Sequence, residues 1–178
     1  MTADHRDPGL LIRLSRGSGQ GPTKMAAFDA ALRSAGMQGY NLVRLSSVIP
    51  VGARVRIVNG AEQLTGDFGD AVFCVYAEAY ADRPGASAWA GIAWSLRTDG
   101  SEAGLFVEQS GPSQEVVERG LITTLTAMDQ GRAEDFELAG RLIGSIECVT
   151  DPVAAVVIAT YRRMGWAGSD ADWHSGPG

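Results

Sequence analysis

The spacing of apolar residues constrains this chain more than any other feature. Two stretches repeat at helical period and stand among runs of strand length. Along Lys24–Ala35, the residues Met25, Phe28, Leu32 and Ala35 recur at helical spacing. Thr23 is placed to cap that helix and Gly36 to stop it. Ser113–Met128 predicts a second, amphipathic helix, with Ser113 as cap and Val116, Val117, Leu121 and Leu125 turned inward. Asn41–Ile49, which ends at Pro50, reads as a strand, as do Val72–Ala81, Phe136–Val149 and Val153–Tyr161. Ser87–Arg97 and Leu105–Gln109 read as a hairpin turning at Asp99-Gly100. Ahead of the first helix, a short apolar run, Leu10–Leu14, is followed by a Gly-rich loop, Gly17-Ser18-Gly19-Gln20-Gly21-Pro22. Antiparallel-looking strands with two helices predict a layered α+β domain, although periodicity does not order the strands.

Length and composition narrow the function. A chain of 178 residues, 45% hydrophobic and 20% charged, suits one globular domain with a real core. The expected division is a flexible tail over 1–9, a single domain over 10–164 and a second flexible tail over 165–178. No run of about 18 apolar residues predicts a membrane helix, and Met1–Pro8 lacks the apolar centre of a signal peptide, so the expected location is the cytoplasm. A net charge of −6 argues against nucleic-acid binding. Cys74 and Cys148 sit in apolar runs and are predicted to be buried reduced thiols. The two histidines, His5 and His174, lie near the chain ends in polar surroundings, which argues against a Ser-His-Asp site or a His-ligated metal. An enzyme built on this chain would use carboxylates or hydroxyls for acid–base work.

Three motifs carry candidate chemistry, and each has an ordinary reading. The Gly-rich loop before a helix is a tight turn or an anion cradle; it lacks the Gly-Lys-Ser/Thr of a P-loop, and the turn is favoured. Ser46-Ser47, near the end of a predicted strand, is a hydrogen-bonded turn on spacing alone. Glu108 at a strand end and Asp29 on the polar side of a helix are ordinarily solvated, and Asp29 stands four residues from Arg33, its surface partner.

Taken together and in order, these segments resemble a known family. They are Gly17-x-Gly19-x-Gly21-x-Thr23, Ala27-Phe28-Asp29-x-Ala31-Leu32, Asn41-Leu42-Val43-Arg44-Leu45-Ser46-Ser47-Val48-Ile49-Pro50 and Gly104-Leu105-Phe106-Val107-Glu108. The pattern is similar to that of the pyruvoyl-dependent arginine decarboxylases, from about Leu10 to Tyr161, and the Asn41–Pro50 block is its most specific part. Val51–Asp70 and the polar ends depart from it. The resemblance implies a four-layer αββα sandwich, assembled as a homotrimer with active sites between subunits. It implies serinolysis between Ser46 and Ser47, giving fragments 1–46 and 47–178, with a pyruvoyl cofactor made from Ser47 and neither metal nor pyridoxal phosphate. Arginine would be converted to agmatine and carbon dioxide, with Glu108 as proton donor, Asn41 assisting the cleavage and Asp29 on the substrate guanidinium. The alternatives are the same chemistry on another amino acid, an uncleaved homologue without activity, and a phosphate-binding module.

Overall fold

The computed structural model describes residues 9–166. His5, His174 and most of the two predicted tails lie outside the described residues. Within them the chain forms β1 (Leu11–Gln20), α1 (Lys24–Ser34), β2 (Asn41–Arg44), β3 (Val48–Ile49) and β4 (Arg54–Ile57). There follow β5 (Ala71–Ala81), β6 (Ser87–Arg97), β7 (Gly104–Gly111), α2 (Gln114–Gln130), β8 (Phe136–Glu147) and β9 (Val153–Met164).

The strands make two sheets, ordered β2-β5-β9-β1-β4 and β3-β7-β6-β8. In the first, β1/β4 and β2/β5 are parallel pairs and the rest antiparallel; the second is antiparallel throughout. The period-two alternation of β9 explains why both faces of the first sheet are covered. Ala155, Val157, Ala159 and Tyr161 point into the core between the sheets, beside Ile92, Trp94 and Phe106. Ala154, Val156 and Ile158 point the other way, onto Ala27, Ala31 and Ala35 of the α1 region. On the far side of the second sheet, Val117, Leu121 and Leu125 of α2 cover Ala93, Leu105 and Val107. The layers therefore run α1, first sheet, second sheet, α2, which is the expected αββα sandwich.

Both helices begin where expected. The Thr23 hydroxyl accepts from the Ala26 N–H and the Ser113 hydroxyl from the Val116 N–H. Gly36, at φ +79°, ends the first. Of the residues at helical spacing in α1, Ala35 is buried and Phe28 and Leu32 pack against the same cluster as Ala27 and Ala31, whereas Met25 is 76% exposed. Val116 of α2 is likewise part-exposed rather than buried.

Most of the Gly-rich segment is strand, and only Gly21-Pro22 remain in the connection to α1. Gly17–Gln20 continue β1 and pair with Val153–Val156 of β9. Their lack of side chains lets α1 lie directly on the strand. A Cβ on Gly17 would stand 2.1 Å from the Ala31 carbonyl oxygen, and one on Gly19 would stand 2.4 Å from the Ala31 nitrogen. Gly17 and Gly19 serve helix–sheet contact, which is the ordinary structural reading of this segment. Two further differences appear. The stretch predicted as one strand over Asn41–Ile49 is divided into β2 and β3, which belong to different sheets. β4, in the poorly matching Val51–Asp70 region, was not predicted from the sequence.

Buried polar groups anchor the chain after β4. The Gln63 amide donates to the Ser15 hydroxyl at 2.7 Å and accepts from the Thr160 hydroxyl at 2.7 Å, while Ser15 donates to the Ala35 carbonyl. Gly19→Ala is expected to destabilise the fold by about 1–3 kcal/mol, because the methyl meets helix backbone that has no free direction to move. Thermal unfolding checks this, and an unchanged midpoint would mean the helix stands farther off than described.

Candidate active site

The chain leaves the first sheet and enters the second within three residues. Before the crossing, the Leu45 N–H donates to the Cys74 carbonyl of β5 at 2.9 Å. After it, the Phe106 N–H donates to the Ser47 carbonyl at 2.8 Å, and Val48 pairs with Leu105 of β7. The Ser46–Ser47 peptide bond is therefore held from both sides by different sheets.

Ser47 has φ +66°, a left-handed conformation that costs a residue with a Cβ roughly 1–2 kcal/mol. Among the described residues Glu102, in the β6–β7 turn, is the other non-glycine with positive φ. The crossing supplies a physical reason for the conformation at 47. In it, the Ser47 hydroxyl donates to Oε1 of Glu108 at 2.6 Å, in a half-buried position. Glu108 sits on β7 opposite Ile92 of β6, so its backbone is fixed inside the second sheet. The structure thus brings together two residues that lie 61 positions apart. Ser46 is exposed beside them.

Asn41 and Asp29 stand elsewhere. Asn41 opens β2 opposite Ala71, roughly 10 Å of strand before Arg44 and farther still from Ser47. Its side-chain amide donates to the Gly69 carbonyl at 2.5 Å. Asp29 lies on α1, outside the first sheet, paired with Arg33 at 2.5 Å, both side chains 60% exposed. It lines a surface cleft of about 510 Å³ with Arg33, Gln38, Gly39, Asp67 and Phe68. Asn41 borders that region through Gly69, whose N–H donates to the Gly39 carbonyl at 2.6 Å. The candidate residues therefore form two groups in the chain: Ser46, Ser47 and Glu108 at the crossing, and Asp29 at the α1 cleft with Asn41 linked to its edge through Gly69.

The segment carrying Phe68 is tied down by Asp70. Asp70 pairs with Arg163 of β9 and accepts from the Asp67 N–H at 2.8 Å. The Arg163 hydrogen bond, helped by that N–H, holds the Asp70 carboxyl below the usual carboxylate range. Trp166 donates to the Gly69 carbonyl on the same segment.

Both cysteines are free and buried, as expected. Burial pushes the Cys74 thiol up to about 12, against the opposing charge of Arg44. An inert thiol is the consequence. Sequence reasoning missed one group beside the crossing, Tyr161, whose hydroxyl donates to the Val48 carbonyl at 3.0 Å. It ends an apolar run, and nothing in its spacing marks it as more than core.

A depressed carboxyl stabilises the fold above its unfolded pKa, and that stabilisation is lost as pH falls through the folded value. Asp70→Asn is thus expected to be less stable than the wild type at neutral pH, with the difference closing below about pH 4. Denaturant titrations between neutral and acid pH check this, and a gap that stays constant into acid would contradict it.

Comparison with known proteins bears on this site. The sequence pattern of the family described as pyruvoyl-dependent arginine decarboxylase matches residues 11–157. A pyruvoyl-dependent arginine decarboxylase of Halobacterium salinarum is 41% identical over 153 residues, covering 84% of this chain and 92% of that protein. Pyruvoyl-dependent arginine decarboxylase 2 of Archaeoglobus fulgidus is 32% identical over 146 residues, covering 79% and 90%. Pyruvoyl-dependent arginine decarboxylase 1 of Methanosarcina mazei is 34% identical over 98 residues, covering 54% and 58%.

Proposed function

The chain belongs to the pyruvoyl-dependent arginine decarboxylase family, and on that premise we propose that it cleaves itself between Ser46 and Ser47 and then converts arginine to agmatine and carbon dioxide. The observation that carries this reading is the Ser47–Glu108 contact at a left-handed residue, where the chain changes sheets. A serine whose preceding peptide bond is held between two sheets, with its hydroxyl on a carboxyl group, fits the origin of a pyruvoyl group.

Cleavage begins as the Ser47 Oγ adds to the Ser46 carbonyl carbon. The new C–O bond replaces the Ser46–Ser47 C–N bond, and the hydroxyl proton passes to the departing nitrogen, leaving an ester. Loss of the Ser47 α-proton then breaks the Cβ–Oγ bond, and Ser46 leaves as a carboxylate that keeps that oxygen. Water replaces the nitrogen at position 47, ammonia departs, and the new chain end is a pyruvoyl group. The backbone conformation at 47 favours the first step, because breaking the peptide bond releases that strain of roughly 1–2 kcal/mol. Glu108 orients the hydroxyl beforehand. Since the departing Ser46 carries Oγ away, the same carboxyl afterwards faces the position where substrate reacts.

The pyruvoyl carbonyl supplies the electron sink for loss of carbon dioxide that ordinary side chains lack. Glu108 then delivers a proton to the carbon that lost its carboxyl group. Asp29 accepts the substrate guanidinium through two parallel hydrogen bonds. Its pair with Arg33 is exposed and worth only a few tenths of a kcal/mol, so an incoming guanidinium displaces it readily. Asn41 assists the cleavage by donating to the oxyanion on Ser46.

Within one protomer the two groups of residues are apart, which supports a site completed by a second copy, one contributing Ser47 and Glu108 and the other Asp29 and Asn41. The working assembly is then the homotrimer. The expected location is the cytoplasm; among the described residues no helix is long and apolar enough to cross a membrane.

Carbon dioxide release from arginine by purified protein tests the activity. Glu108→Gln is expected to cleave, because the amide oxygen still accepts the Ser47 hydroxyl, yet to lose turnover for want of a proton. Gel electrophoresis and carbon dioxide release separate the two effects, and normal turnover would remove Glu108 from the mechanism. Asp29→Asn is expected to lower kcat/KM for arginine by about tenfold or more while leaving cleavage intact. Steady-state kinetics on arginine, citrulline and lysine check it. An unchanged preference for arginine over citrulline would reopen the choice of amino acid.

A further inference from the structure

We propose that Tyr161 is a positioning residue for both self-cleavage and turnover, its hydroxyl holding the segment that begins at the reacting Ser47. The proposal rests on the reading of Ser47 given above. Tyr161 lies on β9 of the first sheet and is 7% exposed. Its ring meets Phe106 edge-on, with centroids 6.2 Å apart. Its hydroxyl reaches across to the second sheet and donates to the Val48 carbonyl at 3.0 Å. Phe106, the residue it packs on, donates its N–H to the Ser47 carbonyl. One aromatic pair therefore controls the backbone on two successive residues, Ser47 and Val48.

That control matters because β3 is only two residues long and pairs with β7 alone. A strand so short does not set its own conformation, and the left-handed φ at Ser47 needs support from outside. The phenol is suited to give it. Burial, and then the charge of Glu108, push its pKa upward, so it keeps its proton and remains a donor at neutral pH.

Tyr161 and Val48 both belong to the 47–178 fragment, so their bond outlasts cleavage. Before cleavage it helps aim the Ser47 hydroxyl. Afterwards it holds the residue next to the new chain end, which otherwise has a free terminus on one side. A tyrosine whose hydroxyl is merely satisfied in the core would affect stability and leave both rates alone.

Tyr161→Phe keeps the ring and removes only the donor. Three readings of the full-length protein decide: cleavage by gel electrophoresis, kcat and KM of the cleaved fraction with arginine, and thermal unfolding. Loss of one such hydrogen bond predicts cleavage about five- to tenfold slower, with kcat lowered by a similar factor and KM unchanged. Cleavage and kcat at wild-type values, whatever the thermal midpoint, would overturn the proposal and leave the reading of Ser47 standing. A raised KM with kcat and cleavage unchanged would also overturn it. Failure of the wild type itself to cleave would overturn both, and so is distinguishable from failure of the Tyr161 assignment.

Discussion

The crossing between Leu45 and Val48, where the chain passes from one sheet to the other, is the constraint on which the rest depends. Leu45 is hydrogen-bonded to β5 and Ser47 to β7, and β5 and β7 face each other across the central core. The intervening peptide cannot relax toward either sheet without breaking the bonds on the opposite side. This accounts for a left-handed serine in a position where glycine would be unstrained. It also points the Ser47 hydroxyl at Glu108, whose own place is set by its pairing opposite Ile92. The core beneath, with Phe106, Trp94 and Tyr161 in edge-to-face contact, resists the shift that would release the strain.

Much of the architecture was legible in the sequence because local signals agreed with the final packing. β5, β6 and β9 are long apolar runs, both helices carry hydroxyl caps, and Asp99-Gly100 turns the hairpin. Where the sequence misled, tertiary contact overrode local preference. Gly17 and Gly19 read as loop by propensity, yet they are strand residues, since only a bare backbone lets α1 approach so closely. Met25 fits the helical period but falls outside the contact, which runs along Ala27 and Ala31. β4 alternates Arg54 and Arg56 with Val55 and Ile57, a short charged edge with little apolar signal.

The candidate site divides in the same way. The block from Asn41 to Pro50 marked the crossing through its resemblance to a family, whereas residue spacing alone left Ser46-Ser47 as a turn. The pairing of Ser47 with Glu108 depends on the register of β3 on β7, which no local pattern reveals. Tyr161 was invisible for a related reason: its ring belongs to the core and only its hydroxyl reaches the crossing. Asp29 and Asn41 stand apart from Ser47 in the chain, and periodicity carries no information about what a second copy would bring to either group.

Intact-mass analysis of the purified full-length protein tests the central claim most directly. Two chains are expected, 1–46 ending in a free carboxylate and 47–178 beginning with a blocked, pyruvoyl terminus that resists sequential Edman degradation. Their masses should sum to that of the intact chain plus one water for hydrolysis of the nitrogen at position 47, less the ammonia released. A single unmodified mass after long incubation would contradict it, and would leave the left-handed Ser47 beside Glu108 as a strained turn without chemistry.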